Sequence, residues 1–282
     1  MSPLDQLACK LGYCITLKEF FEALESIATV HQRADSGSHM YISFGYVGPW
    51  DVMVGTSFMA HSKPVVNPES LSPLNNLTKV YTTNRITNIS SMADEINTWN
   101  IVNVHQFYRT ITIRASAPLL LEIMNIFVQE VESLSRVSGL IPNFVLNPID
   151  LVAEAGRLKN GGSPMGISAK DGPLISESSL RVNWRRRRVL IMMLGLMVAP
   201  YWENAEDNAV VYAAFDSFIN KSAAAAQALN MLHPFLYQNY AGKPQPVFAS
   251  YGKENRARLR EIKNRYDPAG ILDRLQPGYH QI

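Results

Sequence analysis

Apolar side chains recur at three- and four-residue intervals near the start of the chain. Leu17, Phe20, Phe21, Leu24, Ile27 and Ala28 share one face, which predicts an amphipathic helix over residues 17–32. The pattern then changes to alternation. Tyr41–Tyr46 and Trp50–Thr56 read as two strands, and Gly48-Pro49 between them suits the tight turn of a hairpin. His61–Pro73, rich in Pro, Ser and Asn, reads as a loop, and the weak alternation of Thr78–Ser90 suggests a further strand. From Gln106 to Arg114 the alternation is clear. Phe107, Arg109, Ile111 and Ile113 fall on one face, with Tyr108, Thr110, Thr112 and Arg114 on the other, and the β-branched content predicts a strand.

Ser116-Ala-Pro-Leu opens a helix, with the serine or alanine at its N-cap and Pro118 in the first turn. Leu120, Met124, Phe127, Val131 and Leu134 keep the helical period until Gly139 ends it. Asn143–Ile149 is a candidate strand and Asn160–Ile167 a glycine-rich loop. Val189–Val198 is apolar on both faces, as a covered central strand is, and Ala209–Leu232 reads as a second long helix. Helices and strands are mixed without a strict βαβ rhythm. The expected class is therefore α+β, an antiparallel sheet backed by helices.

Composition narrows the partners. With 282 residues, 47% of them apolar, the chain can bury roughly three quarters of its unfolded surface. Its 26 basic and 24 acidic residues leave a net charge of +2, which argues against a nucleic-acid or anionic-membrane partner. Cys9 and Cys14 form neither a disulfide framework nor a zinc pattern. The start, Met1-Ser-Pro-Leu-Asp-Gln, shows no secretory signal, and the apolar run Val189–Pro200 is too short to span a bilayer, so the cytoplasm is the default location. Without a signal, the sequons at Asn76, Asn88 and Asn220 read as chance matches.

Candidate chemistry thins out quickly. The six histidines have no paired spacing, so no metal site is expected. The loop Gly161-Gly-Ser-Pro-Met-Gly lacks the Lys-Ser/Thr of a phosphate loop, and Arg185–Arg188 reads as a solvated strand edge. Tyr237, Asn239 and Tyr240 stand apart. In an extended segment Tyr237 and Asn239 point to one side and Tyr240 to the other. Phenol is a poor base at a free pKa near 10, and it becomes useful only beside a cation, another phenol or a flavin dipole. From these residues alone, two strand tyrosines packing a core explain the cluster better than a catalytic pair does.

The residues around and beyond that cluster decide between the two. Phe235-Leu-Tyr-Gln-Asn-Tyr-Ala, Ser250-Tyr-Gly-Lys-Glu-Asn, Tyr266-Asp-Pro-Ala-Gly and Leu275-Gln-Pro-Gly-Tyr occur in an order that resembles the C-terminal end of FAD-linked oxidases of the berberine-bridge-enzyme-like group, in the vanillyl-alcohol-oxidase superfamily. Asn147-Pro148-Ile149, Gly161–Ile167 and Trp202 with Glu206-Asp207 resemble further segments of that family, and the likeness runs from roughly residue 12 to the end. It implies a substrate domain over residues 1–235 and a C-terminal segment, 236–282, that packs on a flavin domain absent from this sequence. It also implies FAD as cofactor, Tyr237 as catalytic base, and Asn239 and Tyr240 at the flavin face. The activity it implies is oxidation of an alcohol, amine or carbon centre of a small-molecule substrate in natural-product biosynthesis, by hydride transfer to flavin and reoxidation by oxygen. A truncated form, a form that pairs with a separate flavin-domain partner, and a non-redox binding, scaffold or cyclase derivative all stay open. Gly242 stands where the family has Asp, Gln245-Pro246 where it has Gln-Asp, and Ser163 where it often has Asn.

Overall fold

The amphipathic spacing near the start closes into α1 (Leu17–Ser26), continued by a π-helical turn to His31. In the computed structural model, residues 17–31, 35, 37–47, 52–79, 81–97, 105–140, 142–149, 163–181, 202–276, 278 and 280–282 are described. The alternating segments pair as a hairpin of β1 (Ser38–Val47) and β2 (Val52–His61), in register from Ser38 opposite His61 to Val47 opposite Val52. Four more strands complete a sheet: β3 (Thr110–Arg114), β4 (Pro142–Ile149), β5 (Leu174–Arg181) and the two-residue β6 (Leu232–His233). Their order is β2-β1-β4-β5-β3-β6, and each neighbouring pair is antiparallel. The protein is α+β, with a six-stranded antiparallel sheet.

Helices cover one face. These are α1, α4 (Ala117–Glu132) and α5 (Asn208–Ala228). Ser116 caps α4 as expected, its side chain accepting from the Leu119 N–H. The core lies between this layer and the sheet. Phe44 and Phe144 stack across β1 and β4, and Phe127 of α4 and Phe218 of α5 close on Phe144 at 4.8 and 6.0 Å between ring centroids. Trp202, fully buried, joins Phe107 and Tyr212 at the end of this core.

Three expectations change here. His61–Pro73 is not a loop throughout: His61 ends β2, and a 3₁₀ turn at Glu69–Leu71 leads into the short helix α2 (Ser72–Asn75). Thr78–Ser90 forms no strand: residues 81–88 are irregular and α3 (Ile89–Asn97) begins instead, with the Ser91 N–H donating to Asn88 Oδ1. Thr83 and Arg85 both bind Glu95 of α3, which ties this stretch to a helix rather than to a strand partner. The strand expected from Gln106 starts only at Thr110, because Phe107 and Arg109 turn toward α5 and the side chain of Gln245 takes the Thr110 N–H. Conversely, β5 is a strand that the sequence pattern does not predict. The predicted strand Val189–Val198, Arg185–Arg188, the Gly48-Pro49 turn, Gly161-Gly162 and both cysteines lie outside the described residues. None of the described helices is long and apolar enough to cross a membrane.

Candidate functional site

Opposite residues of antiparallel strands point to the same face, so the register maps the side of the sheet away from the helices. Thr112 pairs with His233 of β6 and with Ser176 of β5, and Ser176 pairs with Asn147 of β4. One residue beyond the paired stretch of β1 and β4, Tyr41 falls opposite Asn147, and Tyr41 pairs with Phe58 of β2. A single, mainly polar row thus crosses all six strands. The row beside it carries Thr110, Val145, Ser43 and Thr56. Most of this polar face is buried, and it is stitched together by Ser43 Oγ donating to Asn143 Oδ1 at 2.7 Å and by Thr110 and Ser176 hydroxyls 3.1 Å apart.

The chain after β6 runs over this face. Pro234, with no N–H, stops the ladder, and Gln238–Tyr240 then folds as a 3₁₀ turn closed by the Tyr240 N–H donating to the Tyr237 carbonyl at 3.0 Å. The extended strand expected here is therefore corrected, and with it the placement of Tyr240 on the far side. Residues three apart eclipse in a 3₁₀ turn, so Tyr237 and Tyr240 sit together, rings edge to face at 5.1 Å. Asn239, largely exposed, donates from Nδ2 to the Tyr237 hydroxyl oxygen at 2.9 Å. All three residues singled out in the sequence meet in one place.

Others join them that the sequence did not single out for chemistry. Asn147 turns its amide toward the Tyr240 hydroxyl, Tyr41 lies close enough for its charge state to be coupled to that of Tyr240, and the Tyr108 ring is 5.9 Å from the Tyr240 ring. Burial, reinforced by Tyr237, raises the pKa of Tyr240 above the ordinary phenol value, while Asn147 offsets part of the rise. Burial and Tyr240 raise that of Tyr41, and burial and Tyr237 that of Tyr251. These three phenols keep their protons at neutral pH. At the Tyr41 end a cavity of about 620 Å³ opens, with Tyr41, Thr56 and Phe58 on its wall and Met92 and Ile96 of α3 opposite.

Two glycines hold the covering segment in place. Gly166, at φ 70°, lies against the Tyr251 carbonyl, where a Cβ would approach within 2.4 Å. At Gly242 a Cβ would meet the Tyr108 carbonyl and the Arg109 guanidinium. That guanidinium fills the space where an aspartate would otherwise reach, and it is paired with Asp216 at 2.6 Å. Gln245 completes the attachment: its Oε1 accepts from the Thr110 and Gly242 N–H groups, and its Nε2 donates to the Thr110 carbonyl. Among the described residues no cluster of metal-ligating side chains occurs.

No protein-family model matches the chain. It is 32% identical over 209 residues to the FAD-dependent monooxygenase FUP4 of Fusarium proliferatum, covering 72% of this chain and 37% of that protein. It is 29% identical over 209 residues to the FAD-dependent monooxygenase tpcD of Cochliobolus heterostrophus, with the same shares of 72% and 37%. Among solved structures, a carbohydrate oxidase from Microdochium nivale in complex with a substrate analogue aligns with 90% of this chain and 50% of its own, at 14% identity and a TM-score of 0.44. The chain thus spans just over a third of the length of the curated relatives it matches. The chain is thus similar, over 72% of its length, to fungal proteins named FAD-dependent monooxygenases.

Proposed function

We propose that this chain is the substrate-facing part of an FAD-linked oxidoreductase of secondary metabolism, of the berberine-bridge-enzyme-like kind. The carrying observation is the convergence of Tyr237, Asn239 and Tyr240 over a buried polar sheet face, in a chain whose relatives are named FAD-dependent monooxygenases. In this reading Tyr237, as its phenolate, takes the proton from a substrate O–H or N–H while the adjacent carbon loses hydride. The Asn239 amide keeps its hydrogen bond on the Tyr237 oxygen during that exchange. Tyr240, held protonated by burial, donates to an acceptor in front of it.

The neutral donors of Asn239 and Tyr240 fit one edge of a flavin ring. Bound FAD would supply the hydride acceptor, with oxygen as the final oxidant. Residues 236–282 are proposed to dock on a flavin-binding domain, in the same polypeptide or in a separate partner. Support comes from the terminal helices. α6 (Val247–Ser250) leads into α7 (Lys253–Tyr266), which has no buried residue, and then into α8 (Ile271–Leu275). Ile262, Tyr266, Ile271, Leu272 and Leu275 are all exposed on them, an apolar surface of the type that marks an interface.

The test is to purify the protein from its full reading frame, and together with any flavin-domain partner, and to record visible flavin absorbance. Tyr237→Phe should keep the flavin and lose about 10²–10⁴-fold in turnover. A colourless preparation, or a Phe variant that turns over at the unmodified rate, defeats this reading.

A further inference from the structure

β2 is the outermost of the described strands on its side of the sheet, and its outer edge is unprotected. The Ser62 N–H donates to the Gly37 carbonyl at 2.9 Å, one step beyond the pair of Ser38 and His61. Antiparallel ladders alternate, so Val54, Thr56, Phe58 and Ala60 spend their backbone groups on β1. Met53, Gly55, Ser57, Met59 and His61 then point theirs outward. Among the described residues, nothing bonds the outward N–H and C=O groups of Gly55, Ser57 and Met59. Open edges are usually blunted by charge, proline or a bulge. Val52–His61 holds no Lys, Arg, Asp, Glu or Pro, and its register with β1 is unbroken over ten residues.

The cavity of about 620 Å³ runs along this edge. Neighbouring strand residues point to opposite faces. A cavity that touches every residue from Thr56 to His61 therefore follows the side of the strand, not one face. Its far wall is the apolar face of α3, where Ile89, Met92 and Ile96 recur at helical spacing, with Ile86 just ahead. α3 has no buried residue, and Ile86 and Ile89 are 63% and 80% exposed. Lys63 lines the cavity beyond His61, and no acidic group among the described residues pairs with it. His61 and Arg85 are already matched, by Asp35 and Glu95.

We propose that this slot takes an extended peptide segment of a partner protein, added to β2 as a further antiparallel strand. Its apolar side chains would lie against α3, and an acidic residue at its N-terminal end would meet Lys63. The backbone sets the class of occupant. Outward N–H and C=O groups repeat along β2 at every second residue, and an extended peptide repeats its own at the same spacing. An acyl chain or a ring compound does not. The unpaired Lys63 adds the preference for negative charge, on an edge that carries none of its own. This docking goes beyond the proposed oxidoreductase function and does not depend on it.

The experiment is calorimetric titration of the 282-residue chain with the peptide acetyl-Asp-Val-Thr-Val-Thr-Val-amide. It should bind with a Kd of about 0.1 mM or tighter. Two further copies carry N-methyl groups on alternate amides, one set in each. One set should cost about tenfold or more in affinity and the other almost nothing, because only one side of the added strand faces β2. Replacing the peptide's aspartate by lysine should weaken binding about threefold, and Lys63→Ala should erase that difference. Ser57→Pro removes an outward N–H and leaves the β1 ladder whole. It should abolish binding and shift the melting temperature by less than about 3 °C. Thr56→Pro, which breaks the ladder, should lower that temperature by about 6 °C or more. Should Ser57→Pro unfold the protein, the methylated peptides decide alone. A peptide that fails to bind, or equal effects of the two methylated sets, overturns the proposal. So does laurate binding more tightly than the peptide, which gives the slot to an acyl chain. An unliganded dimer that Ser57→Pro dissolves gives the edge to a second copy and overturns it as well.

Discussion

A single glycine decides how the terminal segment can sit. Gly242 is buried, and a side chain there would collide with the Tyr108 carbonyl and with Arg109, whose charge is matched by Asp216 of α5. Gly242→Asp, which restores the residue that the family likeness leads one to expect, should therefore destabilise the protein by about 3 kcal/mol in chemical denaturation. Adding Arg109→Ala should recover only part of the loss, since the backbone carbonyl stays in the way. Full recovery, or no loss at all, would show that the segment is seated differently. At this scale the sequence was informative about identity and silent about contact. Tyr237, Asn239 and Tyr240 were legible because a motif order surrounds them. Tyr41, Thr112 and Tyr108 were not, because an isolated polar residue in a strand looks the same whether it faces solvent or a buried site. The one available signal was alternation: Tyr41, Ser43 and Gly45, or Asn143 and Asn147, put polar or small residues on one face of apolar strands.

Elements are tied at their ends by side chains that periodicity does not report. Asp35, ahead of β1, accepts from the hydroxyls of Ser70 and Ser38 and the Gly37 N–H, and faces His61 Nε2 at 3.0 Å at the far end of β2. These bonds, Ser70 foremost and against the opposing effect of burial, hold its pKa down from 3.8 to about 2. A carboxylate lowered on folding stabilises the folded state above its unfolded value, and that contribution fades as pH falls from about 4 toward 2. Asp35→Asn should therefore cost on the order of 1 kcal/mol at neutral pH, once solvent screening of this partly exposed group is allowed for, with most of that cost gone by pH 2. Thermal melts across that range check it; a pH-independent difference would mean that the clasp does not depend on charge. Helices were the most legible elements, since α1, α4 and α5 bury whole apolar faces. The failures share a cause. Thr78–Ser90 and Gln106–Arg109 have strand-like patterns, but the side chains of Thr83 and Arg85 are drawn to Glu95 of α3, and Gln245 bonds the backbone of Thr110 where β3 begins.

On the scale of the whole molecule, the sheet has one apolar face and one mainly polar face. The helical layer fills the first with aromatic and aliphatic side chains; the segment beyond His233 roofs the second with tyrosines. A smaller cluster of Ile167, Leu174, Phe235, Ala241, Val247 and Tyr251 anchors that roof. The terminal helices extend past it with their apolar residues uncovered, so the isolated chain should self-associate. Replacing Ile262, Leu272 and Leu275 together by Ser should suppress association in sedimentation experiments and shift the melting temperature by less than about 2 °C, because none of the three is buried here. A monomeric unmodified chain, or unfolding of the triple variant, would contradict this picture. By itself the sequence determined the α+β class, the helical faces and the likeness of the C-terminal motifs, because these depend on local periodicity and on residues close together in the chain. Strand order and the 3₁₀ turn were decided only by the fold, since they depend on partners far apart in sequence. The tyrosines that had marked the site were thereby drawn onto the same side.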